Sequence, residues 1–273
     1  MDDFLFPIVV LGGIIAIALF GGAKNANIFG LQNFALLAPP QSTVATTTNT
    51  PPPASSYTNT TYFSWGSFSN NPNQEYVEVI NNGQNPIDIT GWKIHNNDTH
   101  QDVTITHSTN LYSAQFTNDQ DDVLLYPGEQ AYIITGRSPI GYGIRANICS
   151  GYLSQTNTFT PGLYTQCPTP QQESVGITKS PINNNCLDLI DQTAACSIHS
   201  QALDNTYTSQ CQQFFSTTLT YQGCVDLHKK DSDFYSPKKW YVYLNRDSTL
   251  WNVERESVTL IDNTGKSVQT IAR

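Results

Sequence analysis

The sequence predicts a mainly β protein: a β-sandwich with a cysteine-rich, partly helical insertion and an N-terminal transmembrane helix. Three observations support this prediction: short strand patterns broken by Gly, Pro, Asn and Asp, six cysteines within one third of the chain, and an uncharged apolar N-terminal stretch. Short strands at this spacing, without helical patterns between them, favour a sandwich over a parallel sheet. We assign residues 1–23 to the helix, 24–60 to a linker and 61–273 to the sandwich, with the insertion at 138–239.

The stretch from Glu75 to Ile94 carries the clearest strand pattern. Val77 and Val79 alternate with Glu78, which is the two-residue period of a strand that has one face on a core. Asn82-Gly83 follows, and both residue types adopt positive φ at low cost. We therefore expect a strand that ends in a positive-φ turn.

This stretch, with its later break before Trp92, resembles the opening of a lamin-tail domain, an immunoglobulin-like β-sandwich. A Pro-Gly-Glu turn before a strand at 131–135 and a closing hairpin at 257–271 are similar to the same family. The resemblance implies an interaction or surface role and no single chemistry. The fold-defining residues that it implies are Glu78, Asn82, Gly83, Gly91, Trp92, Pro127, Gly128 and Gly265.

The composition disfavours a nucleic-acid partner. Only 13% of the residues are charged, and 13 basic against 22 acidic residues give a net charge of -9. Affinity for nucleic acid comes mostly from clustered Lys and Arg, which the chain lacks. The sequence also contains no nucleophile elbow, His-Glu-x-x-His, phosphate loop or Rossmann fingerprint, so we predict no enzyme activity and no cofactor.

The cysteines indicate a disulfide framework formed outside the reducing cytosol. They are Cys149, Cys167, Cys186, Cys196, Cys211 and Cys224, and no two of them form a Cys-x-x-Cys pair. Six cysteines allow 15 pairings, and the sequence does not choose among them. A structural zinc site built from two of these cysteines and His228 is an open alternative, although it leaves the other thiols unexplained.

Residues 4–23 carry no formal charge and are rich in Ile, Val, Leu and Phe. A helix of this length spans about 30 Å, the thickness of a bilayer core. A cleaved signal peptide is the alternative, because Gly21-Gly22-Ala23 suits a signal peptidase, but Asp2 and Asp3 stand where such peptides carry basic residues. Lys24 argues against an extracellular C-terminal domain, because basic residues prefer the cytoplasmic side of a membrane. Long domains translocate largely regardless of charge, and the cysteines favour the extracellular side.

The linker at 24–60 changes in character along its length. Residues 25–38 are apolar, and they either lie on the membrane interface or continue the helix. From Pro39 onward Pro, Ser, Thr and Asn dominate, which predicts an extended polyproline II segment. Asn59 and Asn97 begin N-glycosylation sequons, which matter only in a host with that machinery.

Three aspartates in one loop, Asp119, Asp121 and Asp122, offer hard oxygen ligands to calcium. The loop lacks the spacing of an EF-hand, so a solvated acidic loop is the competing interpretation. The four tryptophans similarly fit either a sugar-binding face or core packing. No metal site is predicted beyond the calcium hypothesis.

These observations predict a non-catalytic structural or interaction module on the cell membrane, single-pass, with an extracellular C-terminal domain. The membrane, through the N-terminal helix, and an unknown surface protein or glycan are the expected partners, with the insertion as the binding surface. Three alternatives remain: a calcium- or carbohydrate-binding adhesin, a surface-filament subunit and an extracellular hydrolase. The hydrolase requires His199 or His228 to meet an acid or a nucleophile in a pocket of the insertion.

Overall fold

The computed structural model describes residues 54–176, 182–199, 201–251 and 255–273, and it is mainly β. The strands are β1 (Thr61–Ser67), β2 (Tyr76–Asn81), β3 (Ile87–Asp88), β4 (Lys93–Asn96), β5 (Asp102–Thr104), β6 (Leu124–Leu125), β7 (Gln130–Ile134), β8 (Ile144–Arg145), β9 (Lys239–Tyr243), β10 (Ser257–Ile261) and β11 (Ser267–Ala272). The α-helices are α1 (Pro170–Glu173), α2 (Asn184–Gln192), α3 (Ser209–Gln213) and α4 (Tyr221–His228).

The predicted transmembrane helix at 1–23, and the linker up to residue 53, lie outside the described residues. Among the residues that are described, none belongs to a helix with both the length and the apolar character needed to cross a bilayer.

Two sheets form the β part of the fold. The larger sheet has the strand order β1-β2-β7-β9-β8, the smaller has β11-β10-β4-β5, and β3 pairs with β6 separately. The central pair β7 and β9 is parallel, whereas the other strand pairs described are antiparallel. Two parallel strands need a connection that crosses from one end of the sheet to the other. Between β7 and β9 this connection is the cysteine-rich segment.

A single apolar core lies between the two sheets. Val77 and Val79 of β2 are fully buried in it together with Val258 and Leu260 of β10. This cluster therefore joins residues from before and after the cysteine-rich segment, as the sequence predicts. Trp92, at 0% exposure, packs in the same core and contacts the Tyr57 ring at 5.1 Å between centroids.

The turn glycines differ from one another in what they do. Gly91, Gly128 and Gly265 have φ of 80°, 76° and 81°, a conformation that favours glycine. The predicted positive φ at Asn82-Gly83 is wrong, since neither residue adopts it. Gly83 is instead close to its neighbours: a Cβ atom there would lie 3.0 Å from the Thr60 Cβ.

The preceding residue, Asn81, organises this turn. Its side-chain amide donates to the carbonyls of Asn85 and Leu125, both at 2.8 Å, and its Oδ1 accepts from the Gly83 N–H. Buried side-chain amides that satisfy backbone groups in this way fix a loop that has no regular ladder. Asn82 itself is exposed and bonds through its backbone N–H to Thr60.

The remaining fold-defining residues lie on or near the larger sheet. Glu78 is half-buried on β2, and burial raises the pKa of its carboxyl group while Lys239 opposes that rise. Pro127 is exposed in the turn before β7, where the Glu129 N–H donates to the Tyr126 carbonyl.

The disulfide prediction is confirmed, and the structure supplies the pairing. Cys149 joins Cys224, Cys167 joins Cys196, and Cys186 joins Cys211. The first two disulfides belong to an apolar cluster on the outer face of the larger sheet, and the third lies in a separate small cluster under α2 and α3. The range 138–239, predicted as an insertion, also contributes β8 to the larger sheet.

Candidate functional site

A cavity of about 230 Å³ lies at the edge of the larger sheet, beside β8, and contains two of the predicted calcium ligands. Its walls come from β6, β8, β9 and the loops that precede and follow β6. The lining residues are Asn110, Asp121, Asp122, Leu124, Tyr126, Arg145 and Trp240. We describe it below as the Arg145 pocket.

Strand pairing places Arg145 at this pocket. Ile144 pairs with Tyr241 and Arg145 pairs with Trp240, so the two residues of β8 point to opposite faces. Ile144 joins the outer apolar cluster, which leaves Arg145 beside Trp240 on the inner side. On its other edge β8 is held by Thr109, whose N–H donates to Gly143 and whose carbonyl accepts from the Arg145 N–H.

The Arg145 guanidinium is paired and surrounded by aromatic rings. It forms an ion pair with Glu129, a residue only 3% exposed, and its Nη1 donates to Asn110 Oδ1 at 3.2 Å. The guanidinium carbon lies 4.1 Å from the centroid of the Tyr235 ring and 5.2 Å from that of Tyr126. Aromatic faces and a carboxylate together stabilise a desolvated cation, so this group is fixed in position.

Tyr235 packs against the Arg145 guanidinium outside the lining of the pocket. Its hydroxyl donates to the Asn110 carbonyl at 3.1 Å. Burial raises the pKa of the Tyr235 hydroxyl, and the charge of Arg145 opposes that rise. The phenol therefore stays protonated at neutral pH and acts here as a hydrogen-bond donor.

The acidic rim places its three aspartates differently. Asp121 Oδ2 accepts from the Asn110 N–H at 2.8 Å, and Asp122 lies 3.2 Å from His107 Nε2. Asp119 is exposed and does not line the pocket; only its carbonyl is used, as an acceptor for Thr109. Across the described ranges, no group of three or more His, Cys, Asp or Glu side chains is arranged to hold a metal ion.

Two hydrogen-bond donors of the lining residues are unused. Arg145 Nε and Trp240 Nε1 are buried and have no partner among the described residues. Buried donors in folded proteins almost always have a partner, from the protein, water or a ligand. Neither atom is accessible to solvent, so the polar groups that the cavity itself offers are chiefly the carboxylates of Asp121 and Asp122.

The two histidines of the hydrolase hypothesis lie in different surroundings. His228 Nε2 lies 2.6 Å from Glu173 and its Nδ1 lies 2.7 Å from Asp231, so both ring nitrogens are occupied. Burial lowers the pKa of His228, but the hydrogen bonds to Asp231 and Glu173 outweigh it and raise that pKa above the usual value. Each ring nitrogen of His228 is therefore engaged by a carboxylate in this structure.

His199, in contrast, lines a cavity of about 390 Å³ next to Phe215, with which it makes an edge-to-face contact at 4.9 Å. The described lining of that cavity contains no Asp or Glu. Ser216 lines the same cavity and supplies a hydroxyl, so the hydrolase hypothesis stays a prediction there.

Comparisons with protein-family models, curated proteins and solved structures give no match for this chain. The lamin-tail resemblance therefore stays a proposal that rests on the motifs quoted above. Function has to be argued from the pocket, the disulfides and the surface.

Sequence reasoning identified the aspartates of the Arg145 pocket but not the arginine itself. Arg145 stands alone between Ile144 and Ala146 and belongs to no motif. A charged residue between apolar neighbours in a chain with so few basic residues was the available signal, since a buried charge requires a partner. The partner, Glu129, is the last residue of the Pro-Gly-Glu turn.

Proposed function

We propose that the chain is a membrane-anchored extracellular structural or interaction module without catalytic activity, whose folded part is a lamin-tail-like immunoglobulin sandwich. The observation that carries this proposal is the pairing of all six cysteines in three disulfides. Structural disulfides persist in oxidising compartments and are rare in the cytosol. Six paired cysteines therefore support a folded domain outside the cytosol, attached by the apolar segment at 4–23.

The order of elements supports the lamin-tail assignment without establishing it. The strand at Tyr76–Asn81, the turn at Gly128 and the closing hairpin of β10 and β11 occur in the sequence order of the family motifs. The hairpin turn is stabilised by Asp262, whose Oδ1 accepts from the N–H groups of Thr264 and Lys266.

The segment between β7 and β9 is the proposed interaction surface. It is built from helices of four to nine residues and from loops, and it presents exposed apolar side chains such as Leu187 and Leu227. Loops held by a rigid scaffold are the usual location of binding residues.

The experiment is protease treatment of intact cells that express the full chain, followed by alkaline extraction of membranes and peptide mapping without reduction. We expect the protease to release the folded domain, the N-terminal segment to remain in the membrane fraction, and the three disulfide-linked peptides to appear. A parallel reduced and alkylated sample is the control for the linked peptides. Free thiols in the native protein, or a domain protected from protease in intact cells, would contradict the proposal.

A second candidate function, a calcium- or carbohydrate-binding adhesin, is favoured by the Arg145 pocket. This pocket combines the carboxylates of Asp121 and Asp122 with the ring of Tyr126, which is 44% exposed. Calcium fits this pocket poorly, because calcium needs several oxygen ligands and no nearby cation, whereas Arg145 lines the pocket.

A further inference from the structure

We infer that Glu75 is a pH-dependent latch for the connection between β9 and β10: its neutral carboxyl group holds this connection against the core, and ionisation of that group loosens it. The structure describes the connection from Leu244 to Trp251. The inference goes beyond the proposed function, because it concerns a conformational property of the folded domain and does not depend on where the chain is located.

Glu75 joins three separate parts of the chain. Its Oε1 accepts from the Leu250 N–H and from the Thr135 hydroxyl, both at 2.7 Å, and its backbone carbonyl accepts from the Thr135 N–H at 3.0 Å. Leu250 is 175 positions from Glu75 in the chain, and Thr135 is 60 positions away. One buried carboxyl group therefore links residues beside β2 and β7 to the β9–β10 connection.

The backbone of Leu250 is held from its other side as well. Its carbonyl accepts from the Asn96 side-chain amide at 3.1 Å, and that amide also donates to Glu256 Oε1. Glu75, Asn96 and Glu256 are 0%, 2% and 4% exposed. Leu250 and Trp251 belong to the apolar core between the two sheets, so the hydrogen bonds at Leu250 keep this part of the core covered.

The surroundings of the Glu75 carboxyl group favour its neutral form. Oε2 is buried and has no hydrogen-bond partner among the described residues, so ionisation would place charge on an oxygen that no donor solvates. No Lys, Arg or His within the described ranges forms an ion pair with Glu75. Burial accordingly raises the pKa of Glu75, although hydrogen bonds from Leu250 and Thr135 oppose the rise.

A second acid adds to this effect. The negative charge of Glu256 also raises the pKa of Glu75. The other charged residues on the elements around Glu75 are Glu78, Asp98, Arg137, Arg246, Asp247, Arg255 and Arg273. Arg137 is paired with Asp247, and the Arg273 guanidinium carbon lies 4.3 Å from the centroid of the Phe68 ring.

The direction of the pH dependence follows from the raised pKa. When the connection is closed, the pKa of Glu75 lies above 4.5, its value in water, so closing favours the protonated acid. The stabilisation at Leu250 is therefore fully present below pH 4.5 and is lost as pH rises through the closed-state pKa. At higher pH the connection opens more often and exposes Leu250 and Trp251, which are 7% and 5% exposed when it is closed.

The test is amide hydrogen exchange of the full chain from about pH 4 to about pH 8, with each rate corrected for the intrinsic effect of pH. We expect protection of the Leu250 amide to fall about tenfold or more over this range. Low urea should accelerate exchange at Val79 of β2 and leave Leu250 unaffected, because local opening exposes little surface. Protection of Leu250 that stays constant or increases with pH would overturn the inference, and so would equal urea dependence at the two amides.

One variant removes the latch, and a second is the matched control. Glu75→Gln keeps an oxygen that accepts hydrogen bonds but does not titrate, so protection of Leu250 should become independent of pH and exceed the wild-type value at about pH 8. Glu78→Gln removes another partly buried acid of raised pKa, from the adjoining strand, and should leave the pH profile of Leu250 unchanged.

The wild-type protein also provides a test that needs no substitution. The carboxyl carbon of Glu75, followed by NMR, should titrate above pH 4.5. A Glu75 pKa at or below that value would refute the latch. A wild-type pH profile in the Glu75→Gln protein, or its loss in the Glu78→Gln protein, would refute it too.

Discussion

The two faces of the larger sheet are buried in different ways. The inner face presents Val77, Val79 and Val242 to the smaller sheet, and the cluster that they form contains no cysteine. The outer face presents Tyr132 and Tyr241 to the cysteine-rich segment, where two disulfides belong to the same cluster. One face is therefore covered by a sheet and the other by covalently linked turns and short helices.

This difference shows which part of the chain requires crosslinks. A sheet that packs on another sheet gains a continuous apolar interface from alternating side chains. Helices of four to nine residues are marginal by themselves, and each gains only local support, as where the Asn183 side chain accepts from the Cys186 N–H to begin α2. Disulfides supply the missing stability by restricting the unfolded chain.

The largest expected effect comes from removing the disulfide with the longest loop. Cys149 and Cys224 are 75 residues apart, so Cys149→Ala with Cys224→Ala should lower the free energy of unfolding by about 4.5 kcal/mol. Cys186 and Cys211 are 25 apart, and the same double substitution there should cost about 3.5 kcal/mol. Urea denaturation measures both losses.

Hydrogen exchange sharpens this result by locating the loss. Without the Cys149–Cys224 bond, amides of the cysteine-rich segment should lose protection before those of β10 and β11. Equal loss of protection on both faces would show that the crosslinks stabilise the sandwich directly.

The inner face is tested by Trp92→Ala, which should cost about 3 to 5 kcal/mol because a large cavity opens in the core. Trp92 is 0% exposed, whereas Phe116, at 73% exposure, is the aromatic control. Phe116→Ala should change stability by less than about 0.5 kcal/mol. A cost for Trp92→Ala near that of the control would mean that the inner core is not the source of stability.

A smaller effect is expected at the seam between β1 and β11. The Gln269 side chain accepts from the Phe63 N–H at 2.9 Å and donates to the Phe63 carbonyl at 3.0 Å. This side-chain amide therefore makes the two backbone hydrogen bonds that a neighbouring strand would otherwise make. Gln269→Ala should cost about 1 to 2 kcal/mol and leave β1 with a free edge. Thermal unfolding and light scattering measure these effects, with the exposed Lys266→Ala as the control.

The smallest effect is pH-dependent and belongs to the outer segment, where His228 links α4 to Glu173 of α1. Its folded-state pKa is raised above 6.5, so the stabilisation is fully present below that pH and is lost as pH rises through the folded-state pKa. His228→Gln should therefore destabilise the protein by about 1 kcal/mol or less at acidic pH and less at alkaline pH. Urea midpoints across pH test this; a difference that grows with pH would contradict it.

Local patterns predicted the strands better than the turns and the pairing. Val77 and Val79 are buried as their alternation indicates, and Asp262 begins the expected hairpin turn. Asn82-Gly83 was a plausible turn, but the organising contacts come from Asn81 and reach Leu125, 44 residues away. Such long-range hydrogen bonds leave no periodic mark in a sequence.

The same limit applies to the disulfides and the pocket. Fifteen pairings were open to the cysteines, and only the fold brings Cys149 to Cys224. The Arg145 pocket joins a lone arginine to Glu129 and Tyr235, which are 16 and 90 positions away in the chain. The sequence shows the charge or aromatic character of each of these residues, but their proximity depends on the parallel pairing of β7 and β9.

That parallel pairing has a consequence for attempts to make a minimal domain. Shortening the connection from β7 to β9 would uncover Tyr132, Ile134, Tyr241 and Tyr243, which are now buried beneath it. The trimmed protein would expose a contiguous aromatic patch on the larger sheet and would self-associate through it. The larger sheet and the cysteine-rich segment must therefore be kept together in any smaller version of the domain, because each covers apolar side chains of the other.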